Sequence, residues 1–124
     1  MNADVRHYRL DYLEFRVSDK EAHQRAMTFY ANVFGWQYKE WGPEYADTPS
    51  SGITSGIAVD PYRAGQPMPV VYAADLEDAR KNVIAAGAKL TKDIFAFPGG
   101  RRFQFVDPAD NEIGVWSEAE GHES

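Results

Sequence analysis

The sequence predicts an α+β protein built from two βαβββ modules, whose strands form a cupped mixed β-sheet with the helices on its outer face. Three observations predict this. The two halves of the 124-residue chain follow one pattern: a short apolar strand, an Asp-started amphipathic helix closed by Gly, then short strands set apart by turn residues. The copies are offset by roughly 55 residues, longer than common solenoid periods, which favours two modules over a repeat array. Each copy also closes on a matching strand, Gly56-Ile57-Ala58-Val59 in the first and Glu112-Ile113-Gly114-Val115 in the second. A single domain over 1–124 follows, with module one at about 8–60 and module two at about 68–118.

Each element has a local reason. In the first strand, Tyr12 to Val17, the residues Leu13, Phe15 and Val17 share one face and Tyr12, Glu14 and Arg16 the other. Asp19 starts a helix that offers Ala22, Ala26, Phe29, Tyr30 and Val33 to the sheet, turns Arg25, Thr28 and Asn32 to water, and ends at Gly35. Trp36 to Trp41 alternates aromatic and polar residues and reads as an edge or dimer-facing strand. Asp60 to Met68 links the modules through Pro and Gly, and its opening would let subunits exchange modules.

The second module starts with the strand Val70 to Ala74. Asp75 and Asp78 favour a helix start electrostatically, and Leu76, Ala79, Val83 and Ile84 face the sheet before Gly87. Pro98-Gly99-Gly100 is a turn; it lacks the glycine spacing, lysine and following helix of a phosphate loop. In the closing strands Phe103, Phe105, Ile113 and Val115 pack under the helices, leaving Arg102, Gln104, Gly114 and Trp116 on the opposite side.

Composition narrows the functions. At 44% hydrophobic residues the chain can bury one sizeable core. A net charge of -6 with no Lys/Arg cluster disfavours nucleic acid and anionic membranes, both of which need a basic field. The absence of cysteine excludes disulfides, thiol nucleophiles and Cys-ligated metals. No leader or spanning segment is read, so a cytoplasmic protein is expected, with loose ends over Met1 to Arg6 and Glu118 to Ser124.

If the strands of both halves curl around it, the side away from the helices is a polar trough suited to a small organic molecule. Its candidate ligand-binding residues are Tyr12, Glu14, Arg16, Arg102, Gln104 and Trp116. Glu14 is the candidate catalytic group, a general base or an anchoring carboxylate; alternatively it forms an ion pair with Arg16 or Arg102 that only satisfies buried charge. Trp116 and Tyr12 either stack on a planar ligand or fill the space themselves. Arg102 either clamps a carboxylate or phosphate or stays a solvated charge beside the turn.

The segment Phe29-Tyr30-Ala31-Asn32-Val33-Phe34-Gly35-Trp36, the turn Asp107-Pro108-Ala109-Asp110-Asn111 and the paired modules resemble the vicinal oxygen chelate superfamily of glyoxalases, bleomycin resistance proteins and extradiol dioxygenases. The resemblance runs from about Leu10 to Ser117, and is nearest to small bacterial glyoxalase-like proteins. It implies a cupped site and a homodimer. Metal-dependent members place His, Glu or Gln on the first and last strands of each module. The matching positions here are Tyr12, Ala58, Pro69 and Gly114, none a normal ligand, and a shifted register recovers only Glu14 and Glu112. His7, His23 and His122 do not converge. The resemblance therefore implies a glyoxalase-like small-molecule-binding protein without the usual metal site, and no cofactor is expected. Three alternatives stay open: a metal-dependent lyase or dioxygenase, a metal-free enzyme using Glu14, and a structural module with a self-filled trough.

Overall fold

A computed structural model describes residues 4–118; Met1 to Ala3, His122 and the rest of the tail after Glu118 lie outside the described residues. The elements run β1 (Leu10–Val17), α1 (Lys20–Phe34), β2 (Lys39–Glu40), β3 (Tyr45–Thr48), β4 (Thr54–Val59), a short 3-10 turn (Pro61–Arg63), β5 (Met68–Tyr72), α2 (Leu76–Ala85), β6 (Lys89–Phe97), β7 (Gly100–Val106) and β8 (Glu112–Glu118). This is the predicted α+β order of two βαβββ modules, with mixed parallel and antiparallel strand pairing. The chain divides into two compact units, one of Tyr12–Met68 and one of the residues up to Asp11 with those from Pro69 onward.

In the Tyr12–Met68 unit the strands lie in the order β2-β3-β4-β1, with β1 parallel to β4 and the other pairs antiparallel. The Asp19 carboxylate caps α1 by accepting the Ala22 N–H at 2.8 Å. Gly35 stops the helix in the left-handed region at φ 74°, where its N–H reaches the Ala31 carbonyl. Met27, Ala46 and Ile57 form the core, with Phe15, Val17, Ala26, Tyr30 and Tyr38 packed against it.

The expected buried face of α1 is wrong at two positions. Phe29 and Val33 are 58% and 54% exposed, and the inner positions belong to His23 and Met27. The cause is His23, counted as polar by the periodicity: its Nε2 lies 2.8 Å from the Ile57 carbonyl oxygen, so the ring is buried with a satisfied nitrogen. Arg25, Thr28 and Asn32 face water as expected. The strand expected over Trp36 to Trp41 is also shorter, pairing only at Lys39 and Glu40. Trp36 instead stacks on Tyr30 and packs tilted against Phe34, 5.2 Å between ring centres in each case.

In the other unit the order is β5-β8-β7-β6, with β5 parallel to β8 and the remaining pairs antiparallel. Asp75 caps α2 through the Asp78 N–H. The core is Ala73, Leu76, Ala79, Phe103 and Val115, with Val83, Leu90, Ile94 and Phe105 against it. Ile84, expected inside, is exposed at the end of the helix. Of the N-terminal stretch expected to be loose, the described Asp4 and Arg6 are tied down: Arg6 bonds Asp4 and Glu118 and lies 4.0 Å from the centre of the Tyr72 ring.

Candidate functional site

In the Tyr12–Met68 unit the alternation of β1 works as predicted. Phe15 and Val17 reach the α1 core. Tyr12, Glu14 and Arg16 therefore take the face turned away from the helix. The register sets Glu14 beside Gly56 and Gly56 beside Asp47, with Arg16 beside Ala58 and Ala58 beside Tyr45. The Tyr12 and Tyr45 hydroxyls hydrogen-bond to each other over Gly56, where an added methyl would overlap both phenol oxygens. Burial, then Tyr45, then the charges of Glu14 and Asp47 push the Tyr12 phenol far above its ordinary pKa, so it stays a proton donor.

Glu14 is 2% and Arg16 3% exposed. Arg16 is committed to the chain itself, with Nε donating to the Gln66 carbonyl at 2.6 Å and Nη1 lying 3.3 Å from Met68 Sδ. It fastens the end of the linker, so a ligand would meet its charge more than its donors. Glu14 too has interactions of its own, which compensate its burial.

In the second unit the face away from α2 carries Arg102 opposite Trp116 and Gln104 opposite Gly114. Gln104, 2% exposed, donates through Nε2 to Glu112 Oε2 at 3.0 Å, and Thr91 Oγ1 donates to the same oxygen. This leaves Gln104 Oε1 buried without a hydrogen-bond partner. Trp116 is held by Nε1–H to Asp11 Oδ1 at 2.9 Å and by the edge of Tyr72, 5.1 Å between ring centres. The Arg102 guanidinium lies over Phe95 and Phe97 at 5.3 and 6.0 Å, so Arg102 sits among aromatic rings rather than as a solvated charge.

Thus Tyr12, Glu14 and Arg16 share one unit's outward face and Arg102, Gln104 and Trp116 the other's. Sequence reasoning missed Tyr45, Asp47, Thr91 and Asp11. The alternation of Tyr45 and Asp47 with buried Ala46 and Thr48 was a readable signal, though only four residues long.

Among the described residues, these faces offer few ordinary ligands for a divalent metal. Pro69 has the wrong parity for a ligand position: Val70 pairs with Gly114 on the outward face and Val71 with core residue Val115, so Pro69 turns toward α2. The outward positions of β5 are Met68, Val70 and Tyr72, which offer no ordinary ligand. Glu112 already receives two hydrogen bonds on Oε2. Among the described residues, no three His, Cys, Asp or Glu side chains gather where they could hold a metal ion.

No protein-family model and no curated protein matches the sequence. Solved structures do match in fold. A protein described as an NAD-dependent benzaldehyde dehydrogenase from Legionella pneumophila superposes with TM-score 0.67 at 15% identity, over 87% of this chain and 98% of that one. A Mn(II)-bound glyoxalase from Novosphingobium aromaticivorans gives 0.64 at 24% identity over 90% of this chain, which spans only 39% of that protein. A glyoxalase/bleomycin resistance protein/dioxygenase superfamily member from Vibrio splendidus gives 0.64 at 15% identity, over 86% and 97%. The differing descriptions on one architecture show that the fold does not choose the chemistry. What the superpositions do establish is that this chain has the fold of the glyoxalase/bleomycin resistance protein/dioxygenase superfamily, as its paired modules and its Phe-Gly-Trp helix end implied.

Proposed function

We propose that the chain is a glyoxalase-like protein that binds a small organic molecule without a divalent metal, through the sheet faces turned away from the helices. The observation that carries this is the chemistry of each unit's face taken by itself: Glu14 and Arg16 are buried on the face that carries Tyr12 and Tyr45, and in the other unit Gln104 and Glu112 are buried on the face that carries Trp116. Buried polar groups are costly for a surface that only fills itself. Gln104 Oε1 in particular is an acceptor awaiting a donor. The ligand-binding residues are Tyr12, Glu14, Arg16, Arg102, Gln104 and Trp116, with Glu14 the group to act as acid or base if a reaction follows. A homodimer is the expected assembly, and light scattering on the purified protein measures it.

One observation favours a second reading, the self-filled module. Arg16, Glu112 and Trp116 already spend donors and acceptors on their own chain. Thermal unfolding with Mn2+, Zn2+, EDTA and a panel of aromatic and aliphatic ketones, amides and carboxylic acids separates the readings, with the Trp116 indole N–H followed by NMR and assigned through Trp116→Phe. Binding predicts a compound that raises the midpoint and moves the indole resonance, while metals and EDTA change nothing. Metal stabilisation reversed by EDTA would replace the proposal with a metal-dependent enzyme. A panel without effect would favour the self-filled module.

A further inference from the structure

The segment before β1, residues 4–9, lies as a strap along the end of β5 and the start of α2. We propose that His7 is its proton-sensitive latch: the neutral imidazole fastens the strap, and protonation loosens it. The latch and the small-molecule reading above stand or fall separately.

The Ala74 N–H donates to His7 Nδ1 at 3.0 Å, so Nδ1 carries no proton and the single N–H of the ring is at Nε2. A second proton goes to Nδ1, turns that acceptor into a donor facing another donor, and breaks the bond. The rest of the strap depends on such bonds. Tyr8 sits at φ 63°, a left-handed backbone that bulky side chains disfavour. It is kept there by its N–H on the Tyr72 carbonyl at 2.7 Å, by its hydroxyl, which accepts from Asn82 Nδ2 at 3.3 Å, and by the His7 ring, stacked 3.8 Å from its own. The Tyr72 N–H in turn reaches the Arg9 carbonyl at 2.9 Å. The strap also touches the candidate face of its unit, because Arg6 covers the ring of Tyr72, which meets Trp116 edge-on.

Imidazole takes its second proton between about pH 5 and 8. The charged groups on the surrounding elements do not compete with it there. Hydrogen bonds from Arg6 hold Asp4 at a pKa of about 2 and lower Glu118 on β8, and those from Arg101 lower Glu77 on α2, so these three carboxylates stay charged in that window. Burial raises the Tyr72 phenol on β5, which stays neutral. Asp75 and Asp78 attract an imidazolium, whereas the amide end of α2 and the strap's own Arg6 and Arg9 repel one. With these fields opposed, the Ala74 bond sets the sign: the latch is closed while the ring is neutral and opens as pH falls.

The test follows amide hydrogen exchange by NMR in the full chain, each rate taken relative to the unstructured rate at the same pH. From about pH 7.5 to pH 5, protection of the Tyr8 and Tyr72 amides should fall about ten-fold, the size of one lost hydrogen bond, while Phe103 in β7 keeps its protection. In His7→Asn, whose side-chain oxygen can accept the Ala74 N–H but does not titrate, protection should stay high at both ends. In His7→Phe, which keeps a stacking ring and has no acceptor, it should be low at both. Protection of Tyr8 and Tyr72 that ignores pH in the native chain, that falls equally in His7→Asn, or that falls together with Phe103 overturns the latch. So does native protection in His7→Phe at the upper pH. Should His7→Phe fail to fold, the comparison of His7→Asn with the native chain decides alone.

Discussion

Gly56 is the residue on which the outward face of β4 depends, because the crossing of two tyrosines above it leaves no room for a side chain. Gly56→Ala should destabilise the protein by on the order of 1–3 kcal/mol, the usual range for overpacking. The obstruction is the pair of phenol oxygens, so removing one should relieve part of it. Denaturant midpoints of Gly56→Ala, Tyr12→Phe and the double variant should show the double variant more stable than the sum of the singles. Strict additivity would mean that the phenols swing away freely and that no built pair exists. Much of this site was legible because β1 is long enough for its alternation to place Tyr12, Glu14 and Arg16. Their partners were not: β3 is four residues long, and nothing local says that Tyr45 reaches across a neighbouring strand to Tyr12.

The first helix shows how an element can be right in extent and wrong in rotation. Its ends follow from local chemistry, Asp19 accepting an N–H and Gly35 adopting a left-handed turn, and both stood in the sequence. Asp19→Ala should therefore cost about 1 kcal/mol, read as a lower thermal midpoint. Its rotation depends on a distant carbonyl. His23 enters because Ile57 on β4 offers an oxygen, a partner that periodicity cannot see. The observed rotation predicts unequal costs for two apolar residues. Met27→Ala should lose about 2–4 kcal/mol as a core truncation, whereas Phe29→Ser should stay within about 0.5 kcal/mol, as an exposed position. The reverse order in urea unfolding would restore the rotation expected from sequence. The same physics shortened β2: the aromatics at Trp36 and Tyr38 mimic strand alternation but are drawn to α1 and to the core.

Three arginines of the unit containing α2 make close, largely exposed ion pairs. Arg6 with Asp4 and Glu118, Arg80 with Asp93, and Arg101 with Glu77 all lie in the unit containing α2. Among the described residues of the Tyr12–Met68 unit, the pair Lys20 with Glu44 stands at 4.0 Å. The Arg6 and Arg80 guanidiniums hold Asp4 and Asp93 at a pKa of about 2, below the ordinary 3.8. Hydrogen bonds from Arg101, Asn111 and Arg6 likewise lower Glu77, Asp107 and Glu118. A carboxylate with a depressed folded-state pKa adds stability above its unfolded value and loses it as pH falls through the folded one. These groups are exposed, so each contributes little alone, and the effect is their sum. Between pH 5 and pH 2.5, hydrogen-exchange protection in α2 and β6 should fall by about ten-fold, and protection in α1 and β4 by less. Loss of protection in α1 and β4 first would show that these exposed pairs do not govern acid stability.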